Sequence, residues 1–119
     1  MTELEITEEL TSWKVAFSNT MALFAQGTDK QTLKDISERY SHLKTRALAR
    51  SKELKKAQSR GKLNEQEKDL LVPAINDIAL YCNARIGSMN KDDLSSSLYD
   101  CKDYLAYYLS EMDITETYN

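Results

Sequence analysis

The residue types that most often bind metals or carry catalysis are scarce in this chain. Its 119 residues include one histidine, His42, and two cysteines, Cys82 and Cys101. Structural zinc sites use four protein ligands, and a helical di-iron site uses the Glu-x-x-His motif twice, so one histidine completes neither set. Both cysteines fall on apolar helix seams, offset by roughly 8 Å of helix rise, so we expect reduced thiols. The sequence therefore predicts no metal site and no cofactor.

Phosphate and acid–base chemistry are equally poorly supported. The three glycines, Gly27, Gly61 and Gly87, lie far apart, and none belongs to a glycine-rich loop that cradles phosphates. The carboxylates sit at predicted helix starts or on polar faces, where acidic side chains have structural roles. We therefore expect the protein not to be an enzyme.

Charge is distributed very unevenly along the chain. Residues 44–62 carry eight cations and one acid, a net +7, whereas the remaining eight cations and eighteen acids give −10. The cations of this segment are Lys44, Arg46, Arg50, Lys52, Lys55, Lys56, Arg60 and Lys62. Such a segment attracts an acidic protein or nucleic acid phosphates. It equally suits a solvated helix face that complements acidic helices of the same chain.

The predicted fourth helix carries a second candidate surface, which is rich in tyrosine. Tyr108 lies on the apolar seam of this helix, whereas Tyr104 and Tyr107 are turned away from it. Tyrosine is enriched at interfaces because its ring is apolar and its hydroxyl tolerates water. We call this surface the tyrosine flank, and its residues are Asp100, Asp103, Tyr104, Tyr107 and Glu111. It predicts contact with a basic partner or another copy, unless these tyrosines simply wrap the edge of the fold.

The elements that must position these surfaces are helices. Apolar residues recur every three or four positions, and no alternating strand pattern occurs. The first predicted helix begins at about residue 3 or residue 8 and ends at about residue 26. The next three cover about 29–60, 65–86 and 91–112, and a tail follows at 113–119. The sequence therefore predicts one all-α domain over residues 1–119. Short connections favour an antiparallel four-helix bundle in which the long helix, about 29–60, overhangs the others.

The long helix has a heptad seam whose apolar character weakens along its length. The seam residues are Leu33, Ile36, Tyr40, Leu43, Ala47, Arg50, Leu54 and Ala57. We expect the second half to project from the core, where Leu54 and Ala57 are available for self-association into a homo-oligomer. Alternatively, the helix breaks near Arg50 or Ser51 and folds back.

Helix starts carry capping signals, in which side chains bind the first unpaired backbone amides. The expected caps are Thr28 with Gln31, Asn64 with Glu67, and either Thr2 or Thr7 at the first helix. Pro73 leaves two possibilities open. Either it kinks the third helix, or it opens the main part of that helix after a short turn.

The middle of the chain contains a partial motif. Its members are Leu43, Arg46, Gly61-Lys62-Leu63, Glu67, Asn76 and Ile78. This pattern is similar to the helical adaptor segments attached to bacterial signalling ATPases and caspase-like proteases. It covers less than half of the chain, and the interval from Arg46 to Gly61 is longer than in that family, so it assigns no site residue.

These observations predict a non-enzymatic helical protein–protein interaction module, either an adaptor, an inhibitor or a chaperone-like regulator of bacterial or phage type. It is expected to bind a partner protein through the basic long helix, the tyrosine flank, or both. The alternative is a nucleic-acid-binding protein that uses residues 44–62. No apolar run is long enough to span a bilayer, and the N-terminus is acidic instead of basic. We therefore expect no membrane association and a cytoplasmic location.

Overall fold

The computed structural model describes residues 1–84 and 91–118, with the backbone alone for residues 81–84, 91, 93 and 113–118. The described part is helical and contains no strand, which confirms the all-α prediction. The elements are α1 (Glu3–Ala22) with a 3₁₀-helical turn (Leu23–Gln26), α2 (Lys30–Ser59), a π-helical turn (Glu67–Leu71) that leads into α3 (Val72–Ala84), and α4 (Lys91–Tyr118).

The contacts between helices are roughly those of an antiparallel four-helix bundle. Helix α1 packs mainly against α4, α2 mainly against α3, and α3 also against α4. Thr7, near the start of α1, donates its hydroxyl to the sulfur of Met112 near the described end of α4. Glu9 meets Arg50 late in α2. Helix α1 therefore runs antiparallel to both neighbours.

The predicted seams form the core. Residues spaced by three or four along each helix are buried, because such a stripe faces the other helices. In α1 they are Ile6, Leu10, Trp13 and Phe17, in α2 Ile36, Tyr40, Leu43, Ala47 and Leu54, and in α4 Leu94, Leu98, Cys101, Leu105 and Met112. Leu33 of the α2 seam is only partly buried, as are Met21 and Phe24, which follow the α1 stripe at the same spacing.

Helix α2 is continuous from Lys30 to Ser59, so the alternative break near Arg50 or Ser51 is wrong. Its seam stays buried further than we expected, because Ser51 and Leu54 are packed within this chain. Leu54 is only 2% exposed. It is therefore not available for self-association, and only the last turn and a half of α2 lies beyond the core. The length of α2 is also not unique, since α4 continues to Tyr118, past its predicted end at residue 112.

Polar side chains cap the starts of α1 and α2. Thr2, and not Thr7, caps α1 by accepting from the amide of Glu5, whose carboxylate accepts from the Thr2 amide in return. The predicted cap at Thr28 is wrong, because Asp29 accepts from the Thr32 amide instead. The Asp29 carboxylate, one residue later in the chain, reaches that amide at 2.8 Å.

The capping box before α3 is confirmed. The Asn64 amide donates to the Glu67 carboxylate, and the Glu67 amide donates to the Asn64 side chain. A glycine follows the end of α2: Gly61 has a φ of 68°, and Lys62 donates its amide to the Ala57 carbonyl, closing a Schellman turn. These two motifs fix the short connection between α2 and α3.

The structure agrees with the second of the two possibilities for Pro73 to within one residue. Pro73 is the second residue of α3, which directly follows the π-helical turn Glu67–Leu71. In that turn the Val72 amide donates to the carbonyl of Glu67, five residues back. The wider turn accommodates a proline ring, which in a regular α-helix collides with the carbonyl four residues earlier.

Two polar contacts bridge helices within the core. The Tyr40 hydroxyl and the Ser97 hydroxyl lie 2.6 Å apart, joining α2 to α4. Ser51 donates to the Asn76 side chain at 2.8 Å, joining α2 to α3.

Cys101 is buried, whereas the side chain of Cys82 lies outside the described residues. Across the described ranges, no helix combines the length and the apolar character that a bilayer crossing needs.

Candidate functional site

The cations predicted as one basic surface divide into two groups. Arg46 and Arg50 turn toward α1, and Lys44 is half-buried. The Arg46 guanidinium lies 4.9 Å from the centre of the Trp13 ring, a cation–π contact. Arg46 and Arg50 therefore contribute to the contact between α1 and α2. That these three cations bind a partner stays a prediction.

Arg50 forms the tightest polar contact between α1 and α2. Its Nε and Nη2 donate to the two Glu9 carboxylate oxygens at 3.0 and 2.7 Å, and its Nη1 donates to Glu53 at 3.0 Å. Trp13 donates its indole N–H to the same Glu9 carboxylate. The hydrogen bonds to Glu9 raise the pKa of Arg50, against a smaller opposing effect of burial. A planar guanidinium held at both carboxylate oxygens fixes geometry as well as charge.

The remaining cations form the second group, which we call the basic end. They are Lys52, Lys55, Lys56, Arg60 and Lys62. All five are exposed, and none makes an ion pair with a side chain that the structure describes. Cations suit the C-terminus of a helix, where the dipole is negative, so part of this cluster is explained by α2 itself. The cations beyond those that the helix dipole accounts for form a positive surface open to solvent.

The tyrosine flank is brought together as the helical spacing predicted. Asp100, Asp103, Tyr104 and Tyr107 line one surface groove on α4. Tyr107 is 56% exposed. Asp100 and Asp103 make no ion pair with a described side chain. Glu111 is half-buried and does not line this groove.

Helix α3 supplies a neighbour of the flank that sequence reasoning missed. The Tyr108 hydroxyl donates to the Asp77 carboxylate at 2.9 Å, and the Tyr107 ring meets the Tyr108 ring edge-on with centroids 5.2 Å apart. Burial, followed by the bond to Asp77, raises the pKa of Tyr108 to about 12. Asp77 thus anchors the ring against which Tyr107 rests. No local signal marked Asp77, since it comes from a different helix.

The described surface offers little for small-molecule chemistry. His42 is exposed, as expected, and lines a shallow groove between α1 and α2 with Ala16, Thr20 and Arg39. Within residues 1–84 and 91–118, no three histidine, cysteine or carboxylate side chains lie close enough together to hold a metal ion. The two charged surfaces are therefore the distinctive features of the described residues.

Comparisons with known proteins add no relative to this geometry. The chain matches no family model, no curated protein and no solved structure.

Proposed function

We propose that this chain is a non-enzymatic protein-interaction module that uses the tyrosine flank to bind a basic segment of a partner protein. Its role is that of an adaptor or regulator, since binding itself is the activity. The proposal is carried by one observation: exposed Tyr107 shares a groove with Asp100 and Asp103, two carboxylates that make no ion pair with a described side chain.

The chemistry of this groove favours a partner that presents lysine or arginine. Tyrosine rings attract cations through their faces, and the neighbouring carboxylates add charge complementarity. Tyr107 is also held in place by Tyr108, which is itself bonded to Asp77. A preoriented aromatic side chain loses less entropy on binding than a mobile one.

The test compares three forms of the chain as baits in nuclease-treated lysate. The flank variant carries Asp100→Asn, Asp103→Asn and Tyr107→Ala. The control variant carries Asp35→Asn and Glu38→Gln, which remove the same charge from exposed positions of α2. We expect one protein to be retained by the wild type and by the control but lost from the flank variant. If all three forms retain the same proteins, the flank is not a binding surface.

A second candidate function is nucleic acid binding by the basic end, and one observation favours it. Five exposed cations lie within residues 52–62 without an ion pair to a described side chain. Phosphate contacts of this kind release counterions, so binding weakens steeply with salt. Titration of fluorescent duplex DNA and of single-stranded RNA at low salt tests it. Binding that disappears in a Lys52→Gln, Lys55→Gln, Lys56→Gln variant supports this candidate, and no binding at low salt removes it.

A further inference from the structure

We propose that the basic segment recognised by the tyrosine flank belongs to a second copy of this chain, whose basic end docks there in a head-to-tail contact. This inference rests on the proposed function, because it names the partner of the same groove. The two surfaces lie on different helices, α2 and α4, so one molecule presents both at once.

Charge complementarity between the two surfaces is the first argument. The basic end contributes five exposed cations, and the groove of the tyrosine flank contributes the two carboxylates Asp100 and Asp103. The chain as a whole carries a net charge of only −3, so bulk repulsion between copies is weak. Opposite patches on a nearly neutral molecule steer two copies into one relative orientation.

Size and apolar content provide the second argument. Lys52 and Arg60 are separated by about 12 Å along α2, and Asp100 and Tyr107 by about 10 Å along α4. One helical segment can therefore lie along the other. Leu48, one turn before Lys52, is 36% exposed and offers an apolar contact for the Tyr107 ring. The lysine stems add further apolar surface, because their charged heads extend to the rim of such a contact.

The geometry of this pairing differs from that of a symmetric dimer. A head-to-tail contact leaves one basic end and one flank unused in every pair. Further copies can therefore add until the assembly closes into a ring or the free protein is depleted. Blocking one surface in each of two variants should therefore stop growth at a pair. This outcome separates the proposal from self-association through any single shared patch.

The experiment measures mass by sedimentation equilibrium from micromolar to millimolar protein. At low salt the wild type is expected to exceed its monomer mass of 13.6 kDa increasingly with concentration. At about 1 M salt, where charges are screened beyond roughly 3 Å, it should return to the monomer. The flank variant (Asp100→Asn, Asp103→Asn, Tyr107→Ala) and the basic-end variant (Lys52→Gln, Lys55→Gln, Lys56→Gln) should each remain monomeric alone. Their mixture should give twice the monomer mass at 1:1 stoichiometry.

Three results overturn the inference. They are a wild type that stays monomeric throughout, variants that associate as the wild type does, and a mixture of the two variants that stays monomeric.

Neutral substitutions are used because charge reversal would create a new complementary pair in the mixture. All substituted positions except Asp100 are exposed, and circular dichroism checks that each variant remains folded. A monomeric wild type whose flank still retains a lysate protein removes this inference alone. Loss of that flank-dependent retention removes the proposed function itself.

Discussion

Arg50 and Lys56 belong to the same run of cations, yet they have opposite roles in the structure. Arg50 is held by both oxygens of Glu9 and packs α1 against α2. Lys56 is exposed, without an ion pair to a described side chain. The difference is one of direction, because a helix rotates by about 100° per residue. A cluster of like charge in a sequence is therefore not one surface until each side chain has been placed.

Helix α4 repeats the comparison with tyrosines. Tyr108 is partly buried and bonded to Asp77, whereas its neighbour Tyr107 is exposed beside two carboxylates. In both places the side chain that serves the fold lies close to the one that is available for binding. Substitutions at the first kind should change stability, and substitutions at the second kind should change binding.

The largest expected effect tests whether the basic half of α2 belongs to the core. Leu54→Ala removes a side chain that is only 2% exposed, and we expect the free energy of unfolding to fall by about 3 kcal/mol. Leu48→Ala is the matched control on the same helix, and a loss below about 1 kcal/mol is expected there. Urea unfolding measures both. Equal losses would mean that this half of α2 is not packed as described.

The next effect concerns the contact between Arg50 and Glu9. Arg50→Ala leaves the partly buried Glu9 carboxylate without its cation, so we expect a loss of about 1.5 kcal/mol in unfolding free energy. A double-mutant cycle with Glu9→Ala should give a coupling of about 1 kcal/mol. Lys56→Ala is the control and should stay within about 0.5 kcal/mol of the wild type. A coupling near zero would show that Arg50 is no more structural than Lys56.

The smallest expected effect concerns the titration of Tyr108, which lies well above neutral pH. Absorbance at high pH should show that Tyr108 ionises late, with a pKa of about 12. Tyr108→Phe should remove one tyrosine from the late part of the titration, Asp77→Asn should move that contribution to lower pH, and Tyr107→Phe should keep it. Because the pKa of Tyr108 is raised in the folded state, its contribution to stability is complete below the ordinary value of about 10. It should be lost as the pH rises through about 12. A late absorbance change that Tyr108→Phe leaves undiminished would refute the assignment.

Much of the fold could be predicted because apolar spacing reports directly on burial. The heptad seams of α2 and α4 and the stripe of α1 are buried nearly as expected. The errors lie where the decisive partner is distant in sequence or differs by one residue. Ser51 and Ser97 are buried because Asn76 and Tyr40 bond to them. The cap moved from Thr28 to Asp29 because either side chain can bind the first amides of a helix.

The candidate site was less accessible to such reasoning. Spacing correctly grouped Asp100, Asp103, Tyr104 and Tyr107, since residues three and four apart share a helix face. It failed to separate Arg46 and Arg50 from the basic end, because nothing local reveals that Trp13 and Glu9 lie opposite them. The residues that share a helix face follow from the spacing within one segment. What contacts that face depends on how the segments pack together.

The π-helical turn before Pro73 affects how this sequence can vary. A π-helical turn contains roughly one more residue than an α-helical turn, so it acts as a local insertion that shifts the phase of the helix by about 100°. The capping box at Asn64 and the buried face from Leu71 onward are therefore set in two different registers. A one-residue deletion between them would convert the turn to α-helix and collide with the proline ring. Chain length in this stretch is thus as constrained as residue identity.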